Sequence, residues 1–332
     1  MNIRNQSIDT LRGLACMFLV GYHVIGGEAH QGLKVVDGNF RVINDILAYV
    51  RMPLFTFLSG LVYAYRPYTN NFKGYAIGKF RRLLIPMLIV GTAFVAIKSL
   101  VPGTNATSFD WRYIHIISVG HYWFIEALFT IFITVAILEK FSLLANKTKF
   151  CFVFTLACLL FLSGIEIKYF ALNGVMYLFP FFLLGVAVER FSLLEILKPI
   201  VGYILLGVVL IALCLIFSEY ITLHNKRSLD GLLIGGVFCC AILAINLNVS
   251  LLAKIGVFSY SIYLYHVFFT AATRIFLQKV GVIDLNTVFI FSLIAGIFLP
   301  IVVEYIFNKT NITRLLFLGK SKMKVREQYI LQ

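Results

Sequence analysis

The chain has little charge: 13% of its 332 residues are Asp, Glu, Lys or Arg, about half the roughly 25% of an average soluble domain. That shortfall excludes most soluble folds, which at this length need polar surfaces. Long polar stretches are also missing, so no aqueous domain is expected beside the apolar part. The six cysteines, Cys16, Cys151, Cys158, Cys214, Cys239 and Cys240, lack the paired spacing of a zinc site or a disulfide framework and read as apolar packing residues. There is no repeat of fixed period, no low-complexity tract, no Gly-rich phosphate loop and no zincin-type His pair, so no metal is expected. Acidic residues are the scarcer sign, 15 against 29 Lys and Arg.

What the chain has instead is apolar length. Hydrophobic residues make up 60% of it, in runs of about twenty, the number that a helix needs to cross a bilayer core about 30 Å thick. Ten spans are expected, near 8–27, 46–65, 83–102, 117–138, 150–166, 174–190, 199–218, 229–246, 255–277 and 287–308. Continuous apolar runs such as Phe150 to Leu162 point to helices, since barrel strands alternate inward and outward residues. The expected fold is an all-α polytopic membrane protein.

The cations sort by side. With the N-terminus in the cytoplasm, eighteen of the 29 Lys and Arg flank spans on the inside, seven on the outside, and Arg12, Arg51, Lys98 and Arg274 fall within spans. The inside set is Arg4; Arg66, Lys73, Lys79, Arg81 and Arg82; Lys140, Lys147 and Lys149; Arg190 and Lys198; Lys254; and Lys309, Arg314, Lys320, Lys322, Lys324 and Arg326. This bias places both termini in the cytoplasm and explains most of the net charge of +14 as topology, with no nucleic-acid partner. Residues 1–27 are basic and then apolar like a signal peptide, but Asp9, Arg12 and His23 interrupt them and no small-residue cleavage site follows. They are expected to remain as the first span.

Ionisable residues inside spans are costly and usually functional or paired. Arg12 and His23 are eleven residues apart, about 20° past three helical turns, so both project from one face roughly 16 Å apart along the axis. An elongated ligand could meet Arg12 with its anionic end and His23 with its reactive end. Asp9, three residues before Arg12, could cap the helix start and orient the guanidinium. Each residue alone also has a structural account: Arg12 could snorkel to headgroups, and His23 could be a hydrogen-bonded interior histidine. In the ninth span Ser259, Tyr263 and His266 stand at i, i+4 and i+7, one polar stripe that either binds neighbouring helices or lines a substrate pocket. Lys79, Arg81 and Arg82 lie just before Pro86; topology alone would put cations there, and arginine also matches phosphate bidentately.

These residues carry a resemblance. Ile8 to Ala15 with His23, Met52 to Gly60, Arg81-Arg82 before Pro86, Tyr122 to Ile125, Phe179 to Gly185 and Tyr260 to His266 occur together in that order, and the chain resembles the acyltransferase family 3 proteins. These are multi-span bacterial membrane enzymes that acylate carbohydrates and some small molecules. The pieces cover most of the chain, and Arg12 with His23 fits the family's pattern of Arg or Lys, ten residues, His. Two positions depart from it: Leu83 stands where a second basic residue is common, and Arg51 where many members have His before Met-Pro.

The resemblance implies one transmembrane acyltransferase domain over residues 1–332, with 309–332 a basic cytoplasmic tail, in the inner or cytoplasmic membrane. It implies an acyl-CoA donor, usually acetyl-CoA, arriving from the cytoplasm, a carbohydrate hydroxyl as acceptor, and no tightly bound cofactor. His23 is the implied catalytic group, and Arg12, Arg81 and Arg82 are expected to hold the donor. His266, Tyr263, Ser259, Arg51 and Trp123 are expected at the acceptor or acyl pocket, with Asp9 orienting the first helix. Glu126 is the candidate to pair with an intramembrane cation or orient His23. Acyl transfer needs a base for the hydroxyl proton and a donor to the developing oxyanion, and imidazole suits the base role. Some family members carry a further extracytoplasmic domain; this chain is expected to act alone or with a separate membrane or periplasmic partner. A secondary transporter is the rival from another class, and a structural scaffold is a third.

Overall fold

The computed structural model describes residues 5–101, 111–196, 198–217 and 226–321. Of the cations counted to the inside, Arg4, Lys322, Lys324 and Arg326 lie outside the described residues, as do the expected span ends at 102 and 218. Among the described residues the fold is helical throughout; the only strand-like pairings are isolated bridges at Ile114, Ile117 and Tyr169. The long helices are α1 Gln6–Ile25, α2 Asn39–Tyr65, α3 Phe72–Lys79, α4 Ile85–Leu100, α5 Trp123–Lys140, α6 Lys147–Leu162 and α7 Leu172–Arg190. They continue as α8 Pro199–Phe217, α9 Leu229–Ile245, α10 Ser250–Val257, α11 Ser259–Lys279, α12 Leu285–Phe307 and α13 Asn311–Leu318.

All ten apolar segments are helical, but they do not give ten full spans. Among the described residues seven helices are long and apolar enough to cross a bilayer, or eight if α10 and α11, bent by 83°, form one broken span. The helices α6 and α9, with 16 and 17 residues, reach only about 24 and 26 Å, short of a bilayer core about 30 Å thick. The third span is longer than expected, running over Phe72–Leu100 because a π-helical turn at Phe80–Leu84 carries α3 into α4. Arg81 and Arg82 therefore sit within a continuous helical rod and not ahead of it. Outer faces are apolar as lipid requires: only 17% of the most apolar stretch of α8 and 28% of that of α12 are buried. Cys16 and Cys239 are buried, whereas Cys151 and Cys214 lie on exposed helix faces.

The chain divides into two compact units. The first holds Met1–Pro67, Leu138–Glu166 and Val175–Ser259. In it α1 packs along α10 and α2, and α9 packs on α8 and α2. Glycines set the spacing: a Cβ on Gly13 would lie 2.0 Å from Leu252 O, and one on Gly256 only 1.9 Å from Asp9 O. Helices α2 and α7 meet in the same manner, with Gly60 against Phe182 O and Gly185 against Phe57 O. Such close backbone approach is how helices associate where lipid removes a hydrophobic driving force. Arg190 pairs with Glu139 and donates to Leu144 O at 2.8 Å. Arg227 closes the end of α6 by donating to Leu160 O, Phe161 O and Ile165 O at 2.8, 3.0 and 2.7 Å.

The second unit holds Tyr68–Ile137, Ile167–Gly174 and Tyr260–Gln332. Here the α3–α4 rod, α5, α11 and α12 are joined by α13, which packs on α4 and α12. Phe94 of α4 stands edge-on to His121, Tyr122 and Phe268 at 5.7, 5.8 and 5.7 Å, stitching α4 to the turn Gly120–Tyr122 and to α11.

The glycine contacts generate a testable expectation. Gly256→Ala should lower the thermal midpoint of the detergent-solubilised protein, by the ~1–3 kcal/mol typical of overpacking. Gly207→Ala in α8, where no atom lies within 4 Å of the new Cβ, should leave the midpoint unchanged or slightly raised.

Candidate active site

In the first unit α1 begins at Asn5, whose side chain accepts the N–H groups of Ser7 and Ile8 at 3.0 and 3.3 Å. The cap is thus Asn5 and not Asp9, because the helix starts a half-turn earlier than the apolar run. That frees the Asp9 carboxylate for Arg12, whose Nη1 it meets at 3.3 Å. The Asp9 side chain is 7% exposed and that of Arg12 29%, so the pair is anchored within the protein while the guanidinium stays accessible. Thr10 ties the same turn to α10, exchanging hydrogen bonds with Val249 O and N–H at 3.4 and 3.2 Å.

His23 sits in the last turn of α1, at its other end, half-buried. That end is fixed: Gly26 closes the helix at φ +105, a value that L side chains rarely adopt, and its carbonyl accepts from Asn44 Nδ2 at 2.7 Å and Arg41 Nη1 at 3.2 Å. Arg41 is itself held by Asp45 at 2.9 Å. The ring of Tyr22 links two expected site residues: His23 lies edge-on to it at 5.3 Å, and the Arg51 guanidinium covers its face at 3.4 Å. Arg51 is 8% exposed and is stabilised in part as a buried cation over an aromatic ring. Ser259, half-buried, is the first residue of α11 at the bend, so it stands at the corner and not within a stripe.

The second unit contains the other expected residues. Arg81 is half-buried and Arg82 exposed, both on the π-helical turn, beside Lys79, whose Nζ lies 3.3 Å from the Phe132 ring centre. Glu126, in the first turn of α5, is 7% exposed; Ser118 donates to its Oε2 at 2.5 Å, and among the described residues no hydrogen bond reaches its Oε1. The loop that supplies Ser118 is docked by His115, whose Nε2 lies 3.0 Å from Thr92 Oγ1. Burial lowers the His115 pKa below its ordinary value, against the opposing pull of the Leu88 carbonyl. Trp123, half-buried, is backed by Gly174, where a Cβ would lie 2.6 Å from the indole ring.

Tyr263 and His266 are brought together with a residue that the sequence reading missed, His121. The His121 and His266 rings meet at 4.9 Å in a T-shape, and the Tyr263 hydroxyl donates to His121 O. His266 is fully buried; its Nδ1 lies 2.9 Å from both Ile262 O and Tyr263 O, so the neutral ring carries its proton there and Nε2 is the basic atom. The expected stripe is also adjusted: Ser261, 1% exposed, takes the inward role by donating to Glu304 Oε2 at 2.5 Å. A signal for His121 existed, since it is a histidine inside the expected span 117–138 and meets the criterion that singled out His23. Among the described residues no cluster of three or more His, Cys, Asp and Glu could hold a metal ion.

The first unit can thus present a clamped guanidinium and an imidazole from one helix, and the second an arginine pair, a buried carboxylate and a histidine pair. No curated protein and no solved structure matches the chain. A family model described as an acyltransferase domain matches residues 5–306, nearly all of the described helices, and the chain belongs to acyltransferase family 3.

Proposed function

We propose that this membrane acyltransferase moves an acetyl group from cytoplasmic acetyl-CoA to a hydroxyl of a carbohydrate, on a surface polysaccharide or a lipid-linked glycan, in the cytoplasmic membrane with both termini inside. The observation that carries the reading is α1 itself, which holds Arg12 against Asp9 at 3.3 Å and, eleven residues on, His23 against the Tyr22 ring. A fixed cation and a half-buried imidazole on one rigid helix are what an anionic donor with a reactive end requires. Family membership supplies the reaction class.

In the reaction, His23 takes the proton of the acceptor hydroxyl as its oxygen attacks the thioester carbonyl. The tetrahedral intermediate collapses, the C–S bond breaks, and the imidazolium returns the proton to the departing CoA sulfur, leaving the acetyl ester and CoA–SH. Asp9 holds Arg12 so that its guanidinium is oriented before the donor arrives, which lowers the ordering cost of binding. In the second unit Arg81 and Arg82 are assigned to donor phosphates, which their planar forks can bind bidentately. Glu126, with one oxygen occupied by Ser118, and His266, with its proton fixed on Nδ1, are the acceptor and proton-handling groups of that unit. Tyr263 and Trp123 shape its apolar wall.

Incubating membranes with radiolabelled acetyl-CoA tests the assignment, with free CoA and label in glycan as readouts. His23→Ala should lower CoA release by about a hundred- to ten-thousandfold at unchanged membrane insertion; an active variant removes His23 from the mechanism, and glycan flux without CoA release overturns the transferase reading. Arg82→Ala should raise the KM for acetyl-CoA by about tenfold or more, the scale of a lost charge-assisted hydrogen bond, with kcat changed much less. An unaltered KM would remove Arg82 from the donor site.

A further inference from the structure

The turn that carries Arg81 and Arg82 is held by a part of the chain beyond residues 5–306, the stretch that matches the family. At Phe80–Leu84 the Ile85 N–H bonds Phe80 O, five residues back, where a regular helix would bond Arg81 O. Pro86 has no N–H to offer Arg82 O. The chain after α12 returns to these two carbonyls. Gly319 closes α13 with φ +62, and a Cβ on it would lie 2.5 Å from Arg82 O and 2.7 Å from Arg81 O. Only glycine satisfies both conditions, the left-handed backbone and the close approach.

Side-chain bonds fasten both this return and the turn it meets. Lys320 Nζ meets Glu304 Oε1 at 2.6 Å, and Ser261 occupies the other oxygen of that carboxylate. The Tyr265 hydroxyl donates to Phe317 O at 2.8 Å. From α11 the Tyr260 hydroxyl donates to Leu83 O at 3.1 Å, inside the same turn. Phe317 also stacks on Phe307 at 4.5 Å, which ties the last turn of α13 back to the end of α12.

We infer that residues 307–320 form a clamp that sets the pose of Arg81 and Arg82, locked by the Lys320–Glu304 pair. Lys320 is then a positioning residue for the donor and not a catalytic one. The inference rests on reading Arg81 and Arg82 as donor-binding residues. A backbone displaced at this turn moves both guanidinium groups together, and a misplacement near 1 Å is enough to weaken recognition strongly. Glu304 is 9% exposed, so an uncompensated carboxylate cannot simply turn to water when Lys320 is lost.

The test uses the full chain in native membranes or nanodiscs, with Lys320→Ala, Lys320→Arg and Tyr265→Phe. Two readouts are taken: KM and kcat for acetyl-CoA, and amide hydrogen exchange of the peptide covering Phe80–Leu84. Lys320→Ala should raise KM about tenfold with kcat held within about twofold, and should speed exchange at the turn; Lys320→Arg should restore both. Tyr265→Phe, a milder change that keeps the protein testable if Lys320→Ala does not accumulate, should move both readouts in the same direction by about two- to threefold. Unchanged exchange, a loss in kcat at constant KM, or failure of Lys320→Arg to restore KM overturns the clamp. Arg82→Ala serves as the reference. If it leaves KM unchanged, the donor reading itself fails; if it raises KM while Lys320→Ala does not, the clamp alone fails.

Discussion

Hydrocarbon offers polar groups no partner, so every buried hydroxyl and ring N–H, and each carbonyl that a helix cannot satisfy, must be met by another group. The second unit is organised by that demand. Four buried or half-buried tyrosines end on main-chain oxygens: Tyr122 on Leu264 O, Tyr263 on His121 O, Tyr260 on Leu83 O and Tyr265 on Phe317 O. Each joins α11 to another segment, so α11 acts as a rack on which the α5 entry, the π-helical turn and α13 are hung. His266 follows the same logic within α11, with its Nδ1 turned to the carbonyls one turn back. The residues assigned to chemistry in this unit are held by bonds that give buried side-chain donors a main-chain acceptor.

The first unit meets the demand with arginines. Arg227 covers three carbonyls at the end of α6, and Arg41 and Asn44 cover Gly26 O where α1 stops. A guanidinium suits this because its donors are several and fixed in one plane. The consequence for function is rigidity at the end of α1 near His23, while Asp9 steadies Arg12 near its start. Arg41 and Arg227 therefore have structural work beyond any part in orienting spans.

Periodicity showed the helices because apolar length is a strong signal, and all ten segments are helical. Where the outcome differed, the cause was backbone chemistry that hydropathy does not encode. The π-helical turn extended the third span backwards and enclosed Arg81 and Arg82, and the bend after Val257 made Ser259 a corner residue while Ser261 turned inward. The pairing of Asp9 with Arg12 was legible from their spacing, although the cap proved to be Asn5. The contact of Arg51 with Tyr22 and the meeting of His121 with His266 join segments far apart in sequence, and no local pattern predicts them. His121 was nevertheless visible as an intramembrane histidine.

The two glycine-mediated contacts that matter most have opposite characters. Gly13 and Gly256 let α1 and α10 touch backbone to backbone from within regular helices, so their role is packing, and it fixes the helix that bears Arg12 and His23. Gly319 instead combines a left-handed conformation with contact to carbonyls that the π-helical turn and Pro86 leave outside the regular ladder. A helix defect is costly in lipid unless something compensates it, and defects of this kind are frequent where function needs a side chain re-aimed. Here the chain's own later segment packs directly against the defect, and the turn it packs against carries two arginines. The segment after α12 therefore belongs to the structure of the arginine turn as much as Pro86 does, although it lies outside the residues by which the family is matched.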